Sequence, residues 1–379
     1  MLSFLSRLTG AEGKDAHLKI RMNRDYVFLR GAADEASKQP LEGVLSLRLP
    51  SRDPAVGVRL RLDGFLRRRD HDTSSRTIDS SITIRVFEHE WPPFLINHGR
   101  TDVHEDGLAT TTHEWPFELF IPGDTLETFH GCSRCSIAYQ LTATTIRSKT
   151  SSATPQTYRT IRINRTLPSS AFELMDPATV EGTWSERLRY SISIGHRAIA
   201  LGTVIPLEMH FTPLKAGLRI SRARCVLLES HKVETGKNQP SDFIGDRDVT
   251  EWEMSVKNYE NLEQRLYKTS QNLPLPSEPK QCCPDLEAHD ISMTHLLSIE
   301  ITVQESDNST FAFKYRASLP IILFSSPQMP IDANNKFIRP RSQTINPDLT
   351  LFNGLDVPPV YGAHLQDRIL SNLKESLPA

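Results

Sequence analysis

The chain has 379 residues, 38% of them hydrophobic and 24% charged, with a formal net charge of -2. That length supports two or three domains, each with its own core, and the near balance of charge excludes a broadly basic nucleic-acid binder. No apolar run reaches the roughly 18 residues that a bilayer crossing needs, and five cysteines, an odd number, fit reduced thiols better than a disulfide framework. The expectation is a cytoplasmic protein.

In chain order, residues 1–15 read as an amino-terminal tail. Its MLSFLSRL opening is interrupted by Arg7 and followed by polar GAEGKD with no small-residue cleavage site, so it does not read as a secretory leader. Eight amphipathic residues are also too few for a membrane anchor. Residues 16–166 read as a first β-sandwich, because apolar and polar side chains alternate with the period of a half-buried strand. Val58, Leu60 and Leu62 share one face, with Arg59, Arg61 and Asp63 opposite. Ile82, Ile84 and Val86 make a second stripe, and Ile137, Tyr139 and Leu141 a third.

Residues 167–182 read as a linker. Residues 183–327 read as a second β-sandwich, where Ile205, Leu207, Met209 and Phe211 share a face and the longest stripe runs over alternate residues from Ile291 to Val303. Within it, the polar stretch 236–290, carrying QNLPLPSEPK, reads as a long loop or insertion. The helical candidates are Val256–Leu266 and the segment after Tyr361. From residue 328 the alternation stops, and 328–379 reads as a mostly disordered tail. Many punctuated strands without alternating helices point to an all-β fold of tandem antiparallel Ig-like sandwiches.

Enzymatic motifs are missing. HEWP occurs at His89–Pro92 and at His113–Pro116, but a zinc-protease helix needs a second histidine four residues on, and here that place holds Pro93 or Phe117. Cys132 and Cys135 form a CxxC, for which the adjacent Cys282 and Cys283 are a poor second half, so no metal site is expected. His295 lies on an apolar stripe, where a hydrogen-bonded core histidine is the default. There is no GxSxG, complete P-loop or GxGxxG, and no cofactor is expected. Arg67, Arg68 and Arg69 cluster, as do Arg219, Arg222 and Arg224. Their plain reading is a solvated strand edge or loop, and the alternative is contact with acidic lipid headgroups or an acidic cargo tail. Ser342, in RPRSQT, is a basic-flanked candidate for phosphorylation.

One motif does carry a binding mechanism. In DVPPVYGAHLQDRIL, Pro358 and Pro359 restrict the backbone to polyproline II, and Tyr361 follows one turn of that helix later. Prolines and tyrosine then project from one side and fill adjacent pockets of a WW domain at little entropic cost. With 25 Pro and 8 Tyr in the chain, chance placement gives about 0.03 such motifs. Leu365, Ile369 and Leu373 follow at helical spacing; Leu365 and Ile369 are candidates for flanking contacts with the partner, or for packing on this chain's own surface.

The order of motifs also resembles a known family. LEGVLSLRLP, VGVRLRLDGFLR, HEWPFELFIPGDTLETFHG and CSIAYQLTATTIR resemble the amino-terminal half of the arrestin fold in fungal alpha-arrestins. IALGTVIPLEMHFTPL, RISRARCVLLES, DISMTHLLSIEITV and FKYRASLPIILF are similar to its carboxy-terminal half. The resemblance implies a non-enzymatic trafficking adaptor. Its partners would be the WW domains of a HECT-type ubiquitin ligase, ubiquitin, and cytosolic tails or loops of membrane transporters or receptors, with recruitment to plasma membrane or endosomes and peripheral membrane contact. One PPxY is present where many such proteins carry two or more. The alternative is a retromer-like coat or trafficking scaffold in which the PPxY is incidental.

Overall fold

Strand periodicity dictates the architecture, since alternate side chains leave opposite faces of a sheet and an apolar face must be covered by a second layer. The computed structural model describes residues 17–50, 55–70, 80–96, 100–103, 109–129, 135–148, 154–168, 171–233, 243–260, 265–278, 280–288, 291–305, 312–327 and 336–337. These are nearly all strand, and they form two units.

The first unit contains β1 (His17–Met22), β2 (Tyr26–Arg30), β3 (Gln39–Pro50), β4 (Ala55–Asp70), β5 (Ser80–Glu90), β6 (Phe94–Leu95), β7 (Arg100–Val103), β8 (Ala109–Ile121), β9 (Cys135–Arg147) and β10 (Gln156–Thr166). A four-stranded sheet runs β1-β3-β8-β7, and a six-stranded one runs β2-β10-β9-β4-β5 with β6 also on β4. The stripes expected on β4 and β9 are buried: Val58, Leu60, Leu62, Ile137 and Leu141 are fully covered. The stripe on β5 behaves differently. Ile82 and Ile84 are 48% and 43% exposed, because β5 is the sheet edge and the register slips at Gly64/Phe65, leaving Val86 as the extra residue. Gly64 is required there, since a Cβ would lie 2.5 Å from the Tyr139 ring. Asp63, expected on the solvent face, is buried and held by Arg61 at 2.7 Å and Arg85 at 3.5 Å.

The second unit contains β11 (Ala178–Trp184), β12 (Leu188–Ile194), β13 (Ala198–Ala200), β14 (Val204–Pro213), β15 (Leu218–Val233), β16 (Phe243–Met254), β17 (Lys257–Glu260), β18 (Arg265–Pro274), β19 (Leu286–Ala288), β20 (Ile291–Glu305) and β21 (Ala312–Phe324). One sheet runs β11-β12-β14-β18-β17, the other β13-β21-β20-β15-β16 with β19 on β20. Ile205, Leu207, Met209 and Phe211 on β14 share one core with Leu297, Ile299, Ile301 and Val303 on β20.

Three expectations are corrected here. The stretch 236–290 is not a long loop: its described residues include β16 to β19, each paired in a sheet. Its charged residues misled because edge strands keep Asp246, Asp248, Glu251 and Glu253 on the solvent face while Trp252 and Met254 take part in the core. Val256–Leu266 is not a helix; Val256 is followed by β17, which forms a hairpin with β18. The linker is also shorter than 167–182. After a 3-10 turn at Ala171–Met175, β11 already begins at Ala178, and its Trp184 stacks between Tyr190 and Tyr315 at centroid distances of 4.0 and 5.2 Å. One residue of the expected tail, Phe337, is a member of the second unit's core.

Candidate functional site

Pro358, Pro359, Tyr361, Leu365 and Ile369 lie outside the described residues, as do Met1–Leu8 and Ser342. The two arginine clusters separate once strands are in place. Arg67 is exposed on β4, whereas Arg68 turns to the face of Leu66, is half-buried and pairs in register with Cys135. The backbone of Arg69 pairs with Ser81. Arg222 and Arg224 do not offer free positive charge: Arg222 Nε donates to Glu253 Oε2 at 3.0 Å, and Arg224 Nη2 donates to Glu251 Oε2 at 2.6 Å. Across the same sheet, Glu300 accepts from Lys314 at 2.9 Å and from Arg316 at 3.0 Å. Charges of opposite sign thus alternate from strand to strand, which neutralises the face that arginine spacing alone suggested was basic.

The most concentrated chemistry among the described residues is a buried ionic cluster in the second unit. Glu229 sits on β15, fully covered, with Oε1 facing His231 Nε2 at 2.6 Å and Arg247 Nη2 at 2.6 Å. Its Oε2 faces His295 Nε2 at 3.3 Å and accepts from the Cys283 amide at 3.4 Å. The other nitrogen of His295 meets Asp285 Oδ1 at 2.6 Å, and that oxygen also accepts from the Leu323 amide at 2.9 Å. With a carboxylate on each ring nitrogen, His295 donates through both, as an imidazolium.

The electrostatics follow from this geometry. Burial pushes the Glu229 carboxyl up, but hydrogen bonds from His231 and His295 and the charge of Arg247 outweigh it and bring the pKa to about 2. Burial pushes His295 down, and hydrogen bonds to Asp285, Cys282 and Glu229 overcome it, raising the pKa to about 11. Cys282 and Cys283 are buried free thiols, and burial raises the Cys282 pKa. His295, with a carboxylate on each nitrogen, has no free ring position for proton transfer, and the Cys282 thiol is buried with its pKa raised, so neither is set up for acid-base or thiol chemistry. No group of three or more His, Cys, Asp or Glu among the described residues is arranged to hold a metal. What the cluster does is tie the 281–285 connection and β16 to the central strands. His295 was legible as a core histidine; Glu229 and Asp285 were not, since their sequence neighbours give no sign that they meet.

In the first unit one HEW segment closes β5, with Trp91 just past its end, the other lies on β8, and the two pack into an aromatic group. Trp91 meets Phe117 edge-on at 5.5 Å, His113 stacks on Trp115 at 5.7 Å, and the Trp91 indole donates to the Glu118 carbonyl at 2.9 Å. Burial lowers the pKa of both His89 and His113. Among the described residues no helix is long and apolar enough to cross a membrane.

Comparison with known proteins bears on the second unit first. Residues 184–328 match the family model of the arrestin (or S-antigen) C-terminal domain. Over 96% of its length the chain is 30% identical to a probable HECT-type ubiquitin ligase-interacting protein creD of Neosartorya fischeri, of which it covers 62%. It is also 30% identical over 96% of its length to the protein of that name from Aspergillus terreus, covering 64% of it. A HECT-type ubiquitin ligase-interacting protein creD of Emericella nidulans is 28% identical over 99% of the chain, which covers 63% of that relative. The chain therefore spans less than two thirds of the length of these curated relatives. Over residues 184–328 the second unit is thus similar to the arrestin C-terminal domain, and nearly the whole chain is similar to part of fungal proteins named as HECT-type ubiquitin ligase-interacting.

Proposed function

We propose that this chain is an arrestin-like adaptor that brings a HECT-type ubiquitin ligase to membrane transporters or receptors and so promotes their ubiquitination and endocytosis. The observation that carries the reading is homology over 96% of the chain to proteins named for interacting with such a ligase. The ligase handle is Pro358, Pro359 and Tyr361, whose polyproline turn presents two prolines and a ring to the WW domains of the ligase. Leu365 and Ile369 flank that handle. An amino-terminal sandwich ending near residue 166 and a carboxy-terminal one ending near 327 supply the cargo-binding body, and Arg67 contributes to contact with acidic lipid or an acidic cargo tail. The adaptor works in the cytoplasm and is drawn to plasma membrane or endosomes by its cargo. A binding role rather than catalysis fits a buried ionic cluster whose His295 is bonded at both ring nitrogens.

The test is ubiquitination of plasma-membrane transporters in cells that carry the full chain, its Tyr361→Ala variant, or neither. Ligase-dependent modification of at least one transporter is expected with the full chain and is lost with the variant. Modification that depends on the chain but not on Tyr361 would remove the handle from the mechanism and favour a coat-like scaffold.

A further inference from the structure

Phe337 is far from any strand in sequence, yet it is 8% exposed and belongs to the core of the second unit. Three kinds of contact converge on it and its neighbour. Its amide donates to the Ser277 carbonyl at 2.9 Å, and Lys336 Nζ lies 3.4 Å from Glu278 Oε1. Its side chain rests on Gly202, which has a φ of +80° and where an added Cβ would come within 2.8 Å of the Phe337 Cβ and Cγ. The turn after β13 thus uses a residue without a side chain where the ring needs room. Val249, Thr250, Leu275, Pro276 and Gln281 are among the residues that, with Phe337, line an open groove of about 740 Å³.

A core aromatic that reaches its place from outside the strand order fixes a point in the chain. We propose that Phe337 is a clip that docks the chain on the second unit beyond β21, so that the greatest distance at which Pro358 can lie is bounded from Phe337 and not from the end of β21. From Phe337 to Pro358 is 21 residues, and from Phe324 it is 34; full extension at about 3.6 Å per residue bounds the reach at about 75 Å in the first case and about 120 Å in the second. The consequence for ubiquitin transfer rests on the adaptor reading above, because it assumes a ligase held at Pro358, Pro359 and Tyr361. The clip limits the zone in which that ligase finds acceptor lysines.

The docking itself is tested without any ligase, by hydrogen–deuterium exchange on the full chain. The Phe337 amide is expected to be protected in the wild-type chain and in Phe337→Leu, and to exchange about tenfold faster in Phe337→Ala. Lys336→Glu, which leaves the core untouched and sets like charge against Glu278, is expected to speed exchange in the same segment. Wild-type exchange as fast as an unprotected chain would overturn the clip, as would protection unchanged in both Phe337→Ala and Lys336→Glu. The second arm uses a purified HECT ligase and reads which lysines of the chain become ubiquitinated. Phe337→Ala is expected to leave WW-domain affinity within about twofold of wild type and to add acceptor lysines. An unchanged acceptor set would overturn the limit on reach, while WW binding that survives Tyr361→Ala would remove the handle that the reading above places at Tyr361 and leave the exchange result standing.

Discussion

Glu229 shows how one residue's surroundings decide what it does. A carboxylate buried without partners would protonate, but here two imidazoles and a guanidinium hold it ionised, and it and Asp285 in turn hold His295 charged. Removing one member leaves the others buried and uncompensated, so Glu229→Ala is expected to cost about 3–5 kcal/mol of stability by chemical denaturation. The pH dependence follows from the two shifts. Glu229 falls from 4.5 to about 2 on folding, so its contribution is complete above about pH 4.5 and lost as pH drops toward 2. His295 rises from 6.5 to about 11, so its contribution is complete below about pH 6.5 and lost as pH climbs through 11. The stability gap between wild type and Glu229→Ala should be widest between about pH 4.5 and 6.5. A gap that is flat from pH 3 to 9 would contradict the assignment.

At the scale of elements, legibility tracks burial. Strands covered on one face announce themselves: β9, β14 and β20 show clean alternation in sequence and in burial. Edge strands do not, because solvent accepts charge along one whole face and the apolar contribution shrinks to a few positions. That is why β16, with Val249, Trp252 and Met254 among acidic residues, reads as loop from sequence. The bulge on β5, opposite Gly64 of β4, was equally hidden. Alternation alone treats Ile82, Ile84 and Val86 as one stripe, whereas the slip at Gly64 breaks it. Gly64→Ala would drive a Cβ into the Tyr139 ring and the Phe87 Cβ, and is expected to cost about 1–3 kcal/mol, read as a lowered denaturation midpoint. A variant as stable as wild type would show that this bulge relaxes more easily than its packing indicates.

Across the whole molecule, two sandwich units of strands supply ample surface and little reactive chemistry, while the motif with a binding mechanism sits near the carboxy terminus. The all-β class was legible because period-two alternation spans both units; the PPVY motif stands out in the sequence because its physics is local to four residues, and its use as a ligase handle is the proposal made above. Glu229 and Asp285 on opposite nitrogens of His295, and Phe337 on Gly202, were not, since these residues are far apart in sequence and brought together only by sheet register and a turn. The most direct measurement is titration of the full chain, wild type and Tyr361→Ala, against the tandem WW domains of a HECT-type ligase. Saturable binding by the wild type that falls at least about tenfold with Tyr361→Ala is the predicted result. Equal binding by both, or none by either, would contradict the role of the tail as ligase handle.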